Sequence, residues 1–481
     1  HETAARETGG SSVKQDLVVI GGGPGGLVVA SVAAQLGLRV TLVEQADRLG
    51  GDCLHTGCVP SKSLIAMSRI AHATRHGVAT GLLSSMPDID FASAIAHVDR
   101  VIGKIQLHDD PERFRGYGCD VRFGKAVFTG EREVVVDEEI IRGRRFLIAT
   151  GSQPSIPPIP GLDEAGYDTN ETIFQRRTLP RHLAVIGGGP IGVELAQAFA
   201  RLGSEVTIVE MADQLLGRMD HNAAETLREL LDAEGVRVRL SAVITSVRRA
   251  GYSRQLVLES GETVECDRIL VAAGRRPAVN GLGLDAAGVE YDRRGIQVDD
   301  RLRTSRRHIY AVGDVCGPLQ FTHVAEYQAG VALANIAFRL PKKADYRVIP
   351  VVVYTDPEIA TVGLTEQQAG EQGISYEVAE FPMADIDRAI ADDAPAGYAR
   401  FLLGKGRIIG ASIVGAHAGE VIHEVALAMQ TGAKAKQLSE LVHAYPTYAQ
   451  LNRRTINSRY AGLLQSRKVH LLVWLLNRLL P

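Results

Sequence analysis

"DLVVIGGGPGGLVVASVAAQLGLRVTLVEQAD", residues 16–47, is the stretch whose reading decides the fold. It runs from an apolar strand into G-x-G-x-x-G, then a helix-period segment, Leu-Gly, a second apolar strand and Glu44. "HLAVIGGGPIGVELAQAFARLGSEVTIVEMAD", residues 182–213, repeats every part at the same spacing and closes on Glu210. Each glycine has a task. Gly21 and Gly187 permit the tight turn, Gly23 and Gly189 let a pyrophosphate approach the backbone, and Gly26 and Gly192 let the helix pack on the strand. The helix N-terminus then offers partial positive charge to the phosphates. Glu44 and Glu210, each eighteen residues past the last glycine, are placed to accept ribose hydroxyls. A lone glycine motif is weak, but strand, helix, second strand and acid recurring twice is specific. The chain is expected to bind two dinucleotides, an arrangement suited to passing electrons between them.

At 481 residues the chain is too long for one core and implies several domains. A hydrophobic share of 45% and a charged share of 23% are those of an ordinary globular protein. The net charge of −3 gives no reason to expect a nucleic-acid partner. Five cysteines in so long a chain do not make a secreted disulfide scaffold, which favours a cytoplasmic setting.

Just past the first repeat lies "GGDCLHTGCVPSKSL", residues 50–64, with Cys53 and Cys58 five positions apart. C-x4-C is not a zinc spacing, and no second Cys/His cluster supplies further ligands, so no metal site is expected. An inert staple does not suit a reducing compartment. A redox-active pair beside the first dinucleotide is the reading that remains. Cys119, Cys266 and Cys316 read as core residues.

"GGDCLHTGCVPSK" resembles the active-site signature of the pyridine nucleotide–disulfide oxidoreductases, the family of dihydrolipoamide dehydrogenase, glutathione reductase and mercuric reductase. The resemblance runs from about residue 15 to 460 and includes "LIATGSQP" (147–154), "LVAAGRRP" (270–277) and "IYAVGDVCGPLQFTHVAEYQAGVALANI" (309–336). It implies an FAD site formed by Gly21, Gly23, Gly26, Glu44, Gly51, Asp52, Lys62, Ala126, Thr150, Gly151, Ser152, Asp314, Gln320, Phe321, Thr322 and His323. It implies a nicotinamide-dinucleotide site formed by Gly187, Gly189, Ile191, Gly192, Glu194, Glu210 and Gly274. Cys58 would be the charge-transfer thiolate against the flavin, Cys53 the interchange thiol, Lys62 the lysine near flavin N5 and Glu194 its ion-pair partner. Glu210 would repel a 2′-phosphate, and Met211 and Ala212 bring no cation, so NADH is expected rather than NADPH.

One segment departs from the family pattern. Dithiol-handling members end in His-Pro-Thr-x-x-Glu, whose His moves the substrate proton and whose Glu orients it. Here "LVHAYPTYAQLNRR" (441–454) puts Tyr445 at the base position and Gln450 at the carboxylate position. Tyrosine, with a pKa near about 10, is a poor base at neutral pH. His443, two residues upstream, is a candidate substitute. Tyr445, with Tyr167 as a second active-site tyrosine, resembles mercuric reductase, although no cysteine follows Cys316 to form that branch's C-terminal pair. The expectation is an FAD- and NADH-dependent oxidoreductase delivering electrons to a disulfide, a soft metal ion or a similar acceptor. A dihydrolipoamide dehydrogenase variant serving a specialised lipoyl protein is the alternative, and a non-catalytic redox sensor a second.

The implied architecture is α/β, with two doubly wound Rossmann-like domains and a C-terminal α+β dimerisation domain. Residues 1–15 read as a tag-like remnant and disordered lead-in, 16–156 as the FAD domain, 157–274 as the NAD domain and 275–345 as the return to the FAD domain. A small antiparallel excursion is expected around 237–265. Residues 346–462 would form the interface of a two-fold homodimer. The tail, 463–481, carries an apolar run, Leu471 to Leu476, between Arg467, Lys468 and Arg478; it is too short to span a bilayer. It reads as a helix packed on the protein or a second subunit, with a peripheral membrane contact through Trp474 as the other reading.

Overall fold

Leu17–Ile20 is buried along its whole length and forms the central strand of the first sheet. In the computed structural model, which describes residues 14–217 and 219–479, it is bonded in parallel to Val40–Glu44 on one side and Phe146–Ile148 on the other. Cys119–Phe123 and Ile309–Ala311 complete a five-stranded parallel sheet. Counted along the chain, the strands lie in the order 3-2-1-4-5, that of a doubly wound dinucleotide fold. Because both faces are covered, the inner strands Leu17–Ile20 and Phe146–Ile148 are continuous apolar runs, whereas the edge strand Cys119–Phe123 alternates.

The second repeat builds a four-stranded parallel sheet in the same 3-2-1-4 order, from His182–Ile186, Glu205–Val209, Arg237–Arg239 and Arg268–Val271. Arg237–Arg239 was expected within the antiparallel excursion. It is instead the parallel edge strand, paired with Thr207–Val209. The antiparallel sheet comprises Ile244–Ala250, Ser253–Leu258 and Thr263–Cys266. A matching three-stranded sheet, Val127–Gly130, Glu133–Val136 and Glu139–Arg142, rises from the first unit, where the sequence reading had none. Its second hairpin turns on Asp137 and Glu138, both at positive φ (44° and 72°), the backbone twist that tight hairpins favour.

After the second unit the chain pairs Arg275–Pro277 with Ser152–Pro154 and regains the first sheet at Ile309–Ala311. The C-terminal region is a five-stranded antiparallel sheet in the order Val351–Val353, Glu358–Gly363, Arg407–Gly415, Tyr398–Gly404, Glu377–Pro382. Its alternation leaves Ala360, Val362, Phe401 and Ile413 on the face covered by the helices Ala418–Thr431 and Gln450–Ser458.

The lead-in differs from expectation at its last residue. Residues 1–13 of the lead-in lie outside the described residues. Gln15 is not free coil, because its N–H donates to Arg142 O and its C=O accepts from Arg144 N. At the far end Arg467–Leu479 is helical, as expected, and none of its residues is buried. No helix among the described residues is long and apolar enough to cross a membrane.

Candidate functional site

The paired glycine motifs do matching steric work. A Cβ on Gly21 would stand 2.2 Å from Ala149 O, and one on Gly26 would stand 2.0 Å from Gly21 O. In the second motif a Cβ on Gly187 would meet Ala272 O at 2.5 Å, and one on Gly192 would meet Gly187 O at 2.0 Å. The middle glycines behave differently. Gly189 has nothing within 4 Å of its Cβ direction, and Gly23 has only the Gly51 Cα at 3.9 Å. The outer glycines are therefore needed for packing and the middle ones keep space open above the helix N-termini. Both helices, Pro24–Gln35 and Pro190–Leu202, start with Pro, lack a side-chain cap and have no acid in the first turn. Their first amides are left for an anion. Glu44 and Glu210 are held alike. Each takes a 2.6 Å bond from the second glycine's N–H (Gly22, Gly188) and a 2.8 Å bond from an alanine N–H (Ala46, Ala212).

Above these turns lies a cavity of 1830 Å³, larger than the roughly 300–1,000 Å³ that a single small ligand requires. Of the predicted site residues, Gly21, Gly23, Glu44, Gly51, Asp52, Cys53, Cys58, Lys62, Ala126, Thr150, Gly151, Ser152, Asp314, Gln320, Phe321, Thr322 and His323 line it. Gly189, Ile191, Glu194 and Gly274 line it from the second unit. The size of the cavity, the open middle glycines and the uncapped helix starts fit a bound dinucleotide such as FAD. Gly26, Gly187 and Gly192 do not line it and shape the turns, while Glu210, half-buried at the end of its strand, lies outside this cavity.

The cysteines sit where two helices meet. Cys53 is in Gly51–His55, and Cys58 opens Cys58–Ala79 behind Gly57. The Cys53 thiol hydrogen-bonds Cys58, and this is the first reason the Cys58 thiol is lowered, to about 6. Burial opposes that shift, while the Thr322 hydroxyl, 3.5 Å from Cys58 Sγ, and the Lys62 ammonium support it. The same bond, with burial, pushes Cys53 far upward. Cys58 is exposed and lines the cavity. In the reduced pair these neighbours favour the negative charge on Cys58 over Cys53. Lys62 follows Cys58 by one turn on the same helix face. Its Nζ donates to Glu194 Oε2 at 2.8 Å and lies 4.4 Å from the Tyr354 ring centre. The Tyr354 N–H donates to Glu194 Oε1 at 3.0 Å, which fixes the carboxylate.

A second polar cluster surrounds Asp314. Ser152 Oγ donates to Asp314 Oδ2 at 2.6 Å, and Arg275 Nε donates to Ser152 Oγ at 2.7 Å. Arg275 also binds the Asp52 carboxylate and Ser152 O, and it reaches Asn170 Oδ1 at 3.4 Å. Burial raises the Asp314 carboxyl against the pull of Ser152 and Arg275. Arg275 and Tyr354 were missed by sequence reasoning. The signal for Arg275 was a charged residue directly after Gly274, in a turn already singled out. The signal for Tyr354 was an aromatic ending the run "VIPVVVY".

The remaining candidates lie elsewhere in the chain. Tyr167 packs against the core beneath the second sheet and bonds Asp163, which together with burial raises its hydroxyl; it does not line the cavity. Tyr445 is exposed, and a bond to Asp387 raises its hydroxyl further above the normal tyrosine value. His443, the candidate substitute base, is held by contacts within its own chain. Its Nε2 lies 3.1 Å from Glu424 Oε1 and its Nδ1 lies 3.2 Å from Leu441 O. Asn452 anchors the same Glu424 at 2.6 Å. Cys119 and Cys266 are buried in the core as expected, and burial raises them to about 11 and about 12. Cys316 is only partly covered by surface measure, yet burial raises it as well.

Comparison with known proteins agrees with this geometry. Residues 15–329 match the family model described as pyridine nucleotide-disulphide oxidoreductase, and residues 349–454 match the dimerisation domain of the same family. A mercuric reductase of Lysinibacillus sphaericus is 35% identical over 441 residues, covering 90% of this chain and 81% of the relative. A mitochondrial dihydrolipoyl dehydrogenase of Pisum sativum is 34% identical over 470 residues, covering 95% and 93%. Among solved structures, the Cu(II) complex of the HOCl-induced flavoprotein disulfide reductase RclA from Escherichia coli superposes with a TM-score of 0.84 at 30% identity, covering 91% of this chain and 99% of the other. LpdA from Mycobacterium tuberculosis does so with 0.84 at 27% identity, covering 93% and 100%.

Proposed function

Because this chain belongs to the pyridine nucleotide–disulfide oxidoreductases, FAD-dependent enzymes that use NAD(P)H, we propose that it reduces a thiophilic acceptor, a soft metal ion or its thiol complex, through Cys53 and Cys58. Bound FAD supplies two-electron transfer between nicotinamide and the cysteine pair. Gly23, Glu44 and the Ser152–Asp314–Arg275 cluster would hold it; Gly189 and Glu210 would hold the nicotinamide dinucleotide. The Glu210 carboxylate, pinned by two backbone amides, disfavours a 2′-phosphate, and Met211 and Ala212 offer no cation, so NADH is the preferred donor.

The observation that carries the choice of acceptor is the state of residues 443–450. Exchange with a dithiol substrate needs a base to take a thiol proton. Tyr445 has its hydroxyl raised by Asp387, Gln450 carries no charge, and both His443 nitrogens face acceptors of their own chain. A soft metal ion needs no such base, because it binds thiolate directly. Cys58 meets that need as a thiolate near neutrality, held by the Cys53 thiol, Thr322 and Lys62. Cys53, the cysteine of the shorter helix, is the thiol that passes electrons outward. Glu194 keeps Lys62 beside Cys58, and Tyr354 keeps Glu194 in place. The match of residues 349–454 to the dimerisation domain supports a homodimer.

The test is anaerobic NADH oxidation by the purified holoenzyme with Cu(II), Hg(II), lipoamide, glutathione disulfide and a quinone. The expected result is a kcat/KM at least about tenfold higher for a metal ion than for lipoamide, abolished by Cys53→Ser; a tenfold ratio corresponds to about 1.4 kcal/mol of transition-state discrimination. Faster lipoamide turnover would establish the dihydrolipoamide dehydrogenase reading instead. No turnover with any acceptor would leave the sensor reading.

A further inference from the structure

The terminal helix Arg467–Leu479 is unexplained by the redox site. We infer that it is an interfacial anchor that lays its apolar face into an anionic lipid surface. Every residue along Leu471–Leu476 is exposed, with Leu471 at 57% and Leu476 at 45%. At ~100° per residue, the run from Leu471 and Leu475 through Leu472 and Leu476 to Val473 sweeps ~200° of the helix. A stripe facing a protein partner needs only about half that width. Immersion to mid-depth in a lipid interface covers it all.

Charge selects the kind of surface. Residues 441–481 contain no Asp or Glu but hold Arg453, Arg454, Arg459, Arg467, Lys468 and Arg478, in a chain whose net charge is −3. Within the helix Arg467 and His470 lie on the arc opposite the leucines and Arg478 at its edge beside Leu471, while Lys468, in the first turn, rises from the leucine side, where its long stem can carry the ammonium out to the headgroups. Trp474 lies among them, its ring 4.5 Å below the Arg478 guanidinium, as an amphipathic ring at headgroup level would be. A second copy of the helix would bring the same positive charge, whereas anionic headgroups neutralise it. The helix lies on the bilayer and does not cross it.

The test uses full-length holoenzyme with vesicles of phosphatidylglycerol and phosphatidylcholine, or of phosphatidylcholine alone. Trp474 is the only tryptophan in the chain, so its fluorescence reports this helix alone. The expected result is a blue shift and at least tenfold greater co-sedimentation with the anionic vesicles. Both should be lost in Leu472→Glu/Leu476→Glu and weakened in Arg467→Glu/Lys468→Glu, with NADH oxidation unchanged in either variant. Failure to bind anionic vesicles, or equal binding to both kinds, would overturn the inference. So would a fall in assembly mass of Leu472→Glu/Leu476→Glu in the absence of lipid, since the face would then be covered by a second copy.

Discussion

Replacing Cys53 separates the two sources of the Cys58 thiolate. The bond from the Cys53 thiol is the largest cause holding Cys58 at about 6, ahead of Thr322 and Lys62. A hydrogen bond to a charged acceptor contributes about 1.5–3 kcal/mol, and one pKa unit is about 1.36 kcal/mol. Because Cys58 is an exposed residue, the lower end applies, so Cys53→Ala should raise its pKa by about one unit. Cys53→Ser keeps a donor and should stay near the wild-type value. The sign follows from the lowered thiol: reactive thiolate is present above the pKa and disappears as pH falls through it. The assay is the pH dependence of iodoacetamide alkylation of each Cys53 variant, read by flavin absorbance and by peptide mass. Cys119 and Cys266, raised to about 11 and about 12, stay silent over the accessible range. Equal pKa values near 6 in both variants would refute the reasoning and leave the helix start and Lys62 as the controlling terms.

The paired fingerprints make a second contrast. Gly187→Ala would put a side chain at φ 109° and 2.5 Å from Ala272 O, costing at least about 2 kcal/mol of stability, visible as a lower thermal midpoint. Gly189→Ala meets no atom within 4 Å, so the fold and bound flavin should be retained while KM for NADH rises about tenfold, measured by steady-state kinetics. Restoring the missing dyad as Tyr445→His/Gln450→Glu should raise lipoamide turnover by about a hundredfold, the low end of general acid–base catalysis, assayed as NADH oxidation. No gain would show that residues 443–450 do not control acceptor choice.

The two dinucleotide units were legible because their requirements are local. Gly26 and Gly192 must leave room for the carbonyls of Gly21 and Gly187 at the start of the same turn, and Glu44 and Glu210 bond the amides of Gly22 and Gly188 within one strand–helix–strand unit. The cysteine pair was legible for the same reason, since Cys58 and Lys62 share one helix face. The antiparallel excursions were less so. Arg237–Arg239 could be read either as hairpin or as parallel edge, and only its pairing with Thr207–Val209 decides. His443, Tyr167 and Arg275 depended on residues far away in the chain. His443 is engaged by Glu424, Tyr167 is drawn into a core rather than the cavity, and Arg275 joins Asp52 and Ser152. What the sequence determined by itself was the set of groups whose geometry a single turn, strand or helix imposes. What only the tertiary structure decided was which side chains meet across elements, because a charge's partner is set by packing and not by its neighbours in the chain.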